Sequence, residues 1–166
     1  NTYTQTRKLS NAVFDAQSIA AELKALGFYV IESYDIDFMN FIKQFEDFRN
    51  ELSNFNVGLF YFAGHGVEFE GKNYLLLTNS SVENKTAIEH STFDLQSIVS
   101  DMHKSGCKMN IQIIDACRDN PYGTGRGIVT TNLAPVFAPQ GTLIAYSTSP
   151  GETAKDSGMG NNSIYT

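Results

Sequence analysis

Two residues of this chain have the types and the setting that nucleophilic catalysis needs, Cys117 and His65. A thiolate is a strong nucleophile, but a free cysteine is mostly protonated at neutral pH and needs a base or a positive neighbour. Histidine is the side chain that takes and returns a proton in that range. Cys117 follows Ile111, Ile113 and Ile114, a β-branched run that gives way to charge and then to the breaker pair Asn120-Pro121. A cysteine on a strand is most often a small buried hydrophobe. Here Asp115, Arg118, Asp119 and Asn120 crowd it with polar groups that a core filler would avoid. His65 stands between Gly64 and Gly66, directly after the apolar run 57–63. A loop histidine can be purely structural, yet flanking glycines let a backbone approach a ligand closely. The amides of Gly66 and Cys117 could together hold an oxyanion. His90 and His103 read as structural, and three dispersed histidines give no zinc site. The residues point to no metal and no cofactor.

The elements that must position this pair follow from periodicity. Val13, Ala16, Ile19, Ala20, Leu23 and Leu26 recur at spacings of three and four, which predicts an amphipathic helix over 12–26 with Gly27 as its stop. The short run FYVI predicts a strand over 28–31. Asp37 reads as the N-cap of a second helix that carries Phe38, Phe41, Ile42, Phe45, Phe48 and Leu52 on one face. A strand over 57–63 then ends at Gly64-His65-Gly66. Residues 67–77 read as a hairpin, 79–91 as a polar loop, and Leu95, Ile98, Val99 and Met102 as a third helix that Gly106 ends. The strand bearing Cys117 comes next, followed by a Gly- and Thr-rich span, 123–132, that reads as a mobile loop. Residues 143–146 form the last predicted strand. Alternating helices and strands imply a mostly parallel sheet with helices on both faces. In such sheets ligands bind outside the carboxyl ends of the strands, where this order delivers both the Cys and the His.

Composition narrows the function classes. At 166 residues and 42% hydrophobic content the chain can build one sizeable core, so a single domain is expected. Its net charge of -6 argues against a nucleic-acid footprint and favours cationic substrates. No run approaches the roughly 20 apolar residues of a membrane helix, so the chain reads as soluble with no membrane partner. Two cysteines are no disulfide framework and fit a reducing, cytoplasmic setting. The opening Asn1-Thr2-Tyr3 reads like the middle of a domain.

GLFYFAGHG, about 50 residues ahead of IIDACRDNPY, resembles the His and Cys motifs of the caspase-like clan of cysteine peptidases. The signature is Asp115-Ala116-Cys117-Arg118-Asp119, with the Gln and the final Gly of the caspase form replaced. It resembles instead the paracaspases and metacaspases, bacterial relatives included, which cleave after Arg or Lys. AVFDAQSIAAELKALGFYV is similar to the family's first helix and following strand, and GTLIAYSTSPGETAKDSGMGNNSIYT to the start of its small-subunit region. The resemblance implies an α/β fold, a caspase-like three-layer αβα sandwich with a mostly parallel central sheet. It implies a p20-like region over 1–120, a mobile linker over 121–139 and the start of a p10-like region over 140–166. It also implies that the family's first core strand precedes Asn1 and that a helix and strands follow Thr166.

Carried over residue by residue, the resemblance makes Cys117 the nucleophile and His65 the general acid and base, with the Gly66 and Cys117 amides on the oxyanion. The three acids of the paracaspase pocket fall on Asp15, Asp115 and Asp156, and a buried guanidinium needs such carboxylate partners. The function implied is a cysteine endopeptidase acting on proteins or peptides after Arg or Lys, with regulatory domains or subunits, in bacterial regulated death or defence. Arg126, followed by Gly127, is a candidate for self-cleavage. Two other readings stand beside it. A catalytically silent caspase-fold scaffold is disfavoured by the retention of both Cys117 and His65, of which a pseudoenzyme usually loses one, and an enzyme cutting after Asp would need basic residues where Asp115 and Asp156 stand. Calcium activation of the metacaspase kind has no dense EF-hand-like oxygen cluster behind it.

Overall fold

The computed structural model describes residues 2–117, 129 and 133–147. Along the chain come α1 (Ala12–Ala25), α2 (Phe38–Leu52), β1 (Val57–Phe69), β2 (Lys72–Leu76), α3 (Lys85–Ser91), β3 (Thr92–Asp94), α4 (Leu95–Lys104), β4 (Met109–Cys117) and β5 (Thr142–Tyr146). The strands form one sheet in the order β3-β2-β1-β4-β5. β1, β4 and β5 run parallel, while on the other side β2 is antiparallel to β1 and β3 antiparallel to β2, so β2 alone is reversed among the described strands.

Helices cover both faces because the strands alternate apolar side chains across the sheet. On one face Phe41 and Phe45 of α2 and Ile98 and Met102 of α4 pack with Leu75, Ile114 and Ala116. On the other, Tyr3, Leu9 and Ala12 pack with Val67, Tyr74, Leu76 and Ile88. The result is the α/β sandwich that the periodicity implies. Local chemistry fixes the starts of α2 and α4. The Asp37 carboxylate accepts from the Asn40 amide at 2.9 Å and that of Asp94 from the Gln96 amide at 2.8 Å, so each satisfies an N–H that has no partner inside its helix.

Three elements differ from the sequence expectation. The first is β1, which does not stop at Gly64-His65-Gly66 but continues to Phe69, because from His65 onward it pairs with β2. The turn between them is the two residues Glu70 and Gly71, with φ of 49° and 78°, the left-handed pair that matches hairpin twist. Second, residues 28–31 join no ladder among the described residues. A cavity of about 490 Å³ is lined both by them and by the 57–63 half of β1. Third, the polar span 79–91 contains α3. The Asn84 side chain caps it by accepting from the Ala87 amide at 2.9 Å, and the fully buried Ile88 anchors it.

The described end of the expected linker, 133–139, is tied to the sheet and to α4. Asn73 exchanges two hydrogen bonds with Ala134, and Gln96 exchanges two with Phe137. Among the described residues no helix is long and apolar enough to cross a membrane.

Candidate active site

β1 and β4 start level and run parallel, with Val57 opposite Met109 and every following residue in step. Equal lengths of strand therefore bring His65 opposite Cys117, the last residue of β4. The alignment is a consequence of backbone register alone.

His65 is fully buried. Its Nε2 stands 2.7 Å from the carbonyl oxygen of Arg7. A carbonyl can only accept, so Nε2 carries the proton, and in the neutral ring Nδ1 is the nitrogen with the lone pair. The His65 backbone N–H donates to the Tyr3 hydroxyl at 3.2 Å, and that hydroxyl donates to the Leu76 carbonyl at 3.3 Å. The Tyr3 ring packs on the imidazole with centroids 4.7 Å apart and planes tilted by 58°. One segment, 3–7, thus holds His65 by its backbone and by its ring.

Residues 1–10 are mostly polar, and no periodicity in the sequence marks this segment as part of the site. A signal was present. Tyr3 and Leu9 are the apolar residues of that stretch, and both are buried.

The glycines beside His65 have a more specific reason than ligand approach. A Cβ on Gly64 would lie 2.6 Å from the Tyr3 hydroxyl and 2.6 Å from the Phe62 ring, and one on Gly66 would lie 3.1 Å from the Ala116 Cβ. Gly64 leaves room for Tyr3, and Gly66 for the neighbouring strand.

Two of the three acids are described, and both are buried: Asp15 is 2% exposed and Asp115 is 7% exposed. Asp115 is the register partner of Ala63 on β1. Ala63 and Ala12 belong to the same apolar cluster as Tyr3, and α1 packs on β1. Asp15, one helical turn from Ala12, therefore lies on the side of the sheet that also holds Ala63, Asp115 and His65. Asp156 and Arg126 lie outside the described residues.

The other candidates for chemistry are structural. His90 bonds through Nδ1 to the Thr86 carbonyl of its own helix at 3.0 Å. The Cys107 thiol is buried and donates to the Leu52 and Phe55 carbonyls at 3.1 and 3.3 Å. No group of three or more His, Cys, Asp or Glu among the described residues could hold a metal ion.

A mixed α/β sandwich whose parallel strands align a histidine with a cysteine invites comparison with cysteine hydrolases. The model of one family, described as the caspase domain, matches the chain over residues 1–166. The chain belongs to that family and is a caspase-like cysteine peptidase domain. No curated protein matches it.

Proposed function

We propose that the chain is a cysteine endopeptidase cutting after Arg or Lys, with Cys117 as nucleophile and His65 as general acid and base. The observation that carries this reading is the register of β1 and β4, since partners in a parallel ladder belong to the same face of the sheet. The Arg7 carbonyl supports it further by leaving Nδ1 of His65 as the basic nitrogen. In the proposed cycle Nδ1 takes the Cys117 thiol proton, and the sulfur attacks the carbonyl carbon of the scissile bond. The amides of Gly66 and Cys117 hold the oxyanion. His65 then gives its proton to the leaving amine, and water, deprotonated by the same nitrogen, hydrolyses the thioester.

The basic side chain of the substrate would meet Asp15, Asp115 and Asp156. Two of these acids being buried supports the assignment, because a guanidinium taken out of water needs carboxylates already held in place. Substrate would lie extended along a sheet edge, as peptides often do. Self-cleavage after Arg126, regulatory partner domains and a cytoplasmic setting complete the proposal.

A peptide ending in Arg and carrying an electrophilic ketone tests the reading. Mass spectrometry should find the adduct on Cys117, and the Asp-ending analogue should leave the protein unmodified. Modification of Cys107 alone, or equal labelling by both peptides, would sink it.

A further inference from the structure

The alternation of the β1–β2 ladder gives Tyr3 an unusual position. Counting back from the two-residue turn at Glu70-Gly71, the pairs Phe69 with Lys72, Val67 with Tyr74, and His65 with Leu76 fall on hydrogen-bonding sites. His65 and Leu76 thus present an N–H and a carbonyl to each other, and the Tyr3 hydroxyl accepts from the first and donates to the second. Its ring lies against the imidazole of the same residue. Gly64 keeps the place open, because its missing Cβ would overlap the hydroxyl.

The segment bearing Tyr3 is itself anchored. The Thr4 amide donates to the Thr78 carbonyl at 2.9 Å, the Thr4 hydroxyl donates to the same oxygen at 3.1 Å, and the Thr2 amide donates to the Asp35 carboxylate at 3.1 Å. A short anchored segment therefore ends in a wedge that meets both the backbone and the ring of His65. Its other contact with His65, the Arg7 carbonyl, comes four residues later on the same chain.

We infer that Tyr3 is a positioning residue for His65: its hydroxyl sets the backbone at the β1–β2 junction and its ring sets the imidazole plane, which together keep Nε2 on the Arg7 carbonyl and Nδ1 towards the Cys117 strand. This inference rests on the proposed role of His65. The hydroxyl and the ring act on different parts of the same residue, so their loss can be separated. Removing the hydroxyl loosens the backbone and leaves the ring packing in place.

The test uses Tyr3→Phe in the full-length protein, with turnover of an Arg peptide and the His65 ring signals in a 15N-labelled sample as readouts. The expected result is a fall in kcat of about tenfold to a hundredfold with KM nearly unchanged, in line with the cost of a small misplacement of a catalytic group. In the spectrum the Nε2–H signal should exchange faster with water than in the parent. Gly64→Ala, which pushes on the hydroxyl from the other side, should move both readouts in the same direction and serves if Tyr3→Phe does not fold. Unchanged kcat and an unchanged Nε2–H signal would overturn the inference. If Cys117→Ala and His65→Ala both keep full turnover, the dyad is wrong, and the Nε2–H signal alone decides on Tyr3: faster exchange upholds its hold on His65, and no change overturns it.

Discussion

The carbonyl oxygen of Arg7 lies 2.7 Å from Nε2 of His65, and this single bond determines which ring nitrogen can serve as a base. It also brings the mostly polar segment 3–7 against His65. We predict that in the neutral protein the long-range 15N–1H spectrum of His65 shows the Nε2–H tautomer, with Nδ1 bare. A dominant Nδ1–H tautomer would remove the basis for assigning Nδ1 the proton transfer.

Asp115 lies two residues before Cys117 and is buried, as is Asp15 on the helix that packs over β1. If both meet the substrate's guanidinium, each supplies a charge-assisted hydrogen bond of roughly 1.5–3 kcal/mol. Asp115→Asn and Asp15→Asn should each lower kcat/KM for Arg peptides by roughly tenfold to a hundredfold on that scale. Labelling of Cys117 by a small, uncharged thiol reagent should not change. An equal loss against an uncharged ester substrate would show that the acids support the fold and not the pocket.

Tyr74 gives a prediction about pH. Burial raises its phenol above the ordinary value of 10.0, and the Asp94, Glu89 and Glu70 carboxylates add to the effect while Lys85 opposes it. Below the ordinary value the phenol is neutral in both states and contributes no slope. Above it the unfolded chain loses the proton while the folded protein keeps it, so stability falls as pH rises towards the folded-state value. Tyr34, pushed up to about 12 by burial and by Glu32, adds a slope of its own in the same window. Tyr74→Phe should keep the Tyr34 slope and lose the Tyr74 one. Urea unfolding midpoints between pH 9 and 11, in roughly that range, should therefore decline less in the variant; parallel declines would contradict the burial assigned to Tyr74.

Ile98 is fully buried between α4 and the sheet, within the cluster that includes Phe41, Phe45 and Met102. Ile98→Ala should cost about 2–5 kcal/mol of folding stability, read from denaturant unfolding. A loss below about 1 kcal/mol would mean that this face of the core can collapse around the gap.

What was legible in the sequence was what local pattern controls. The β-branched run before Cys117, the phenylalanine stripe of α2 and the Leu95, Ile98, Val99, Met102 stripe of α4 each formed the element their spacing predicts. What was not legible depends on distant partners. FYVI has strand-forming side chains, yet a strand exists only when another backbone pairs with it, and no ladder among the described residues reaches 28–31. β1 passes straight through Gly64-His65-Gly66, a pair of glycines about a histidine that reads as a stop, because β2 pairs with it from His65 onward. Asn84 was a readable helix cap in a span whose polarity hid it. For the candidate site, residue types and the distance between the His and Cys motifs single out Cys117 and His65, and the structure makes the two register partners; their roles belong to the proposal. The Tyr3 contact joins positions 62 residues apart and has no local signature beyond an aromatic in a polar stretch.

Hydrolysis of fluorogenic peptides ending in Arg, Lys or Asp, by the full-length protein and by Cys117→Ala and His65→Ala, decides whether the dyad and the acidic pocket act together. Turnover of the Arg and Lys peptides should fall by at least about a thousandfold in either variant, as expected when one member of a catalytic unit is lost, and the Asp peptide should not be turned over. Hydrolysis of Arg peptides that survives Cys117→Ala, or turnover confined to the Asp peptide, would contradict the proposal.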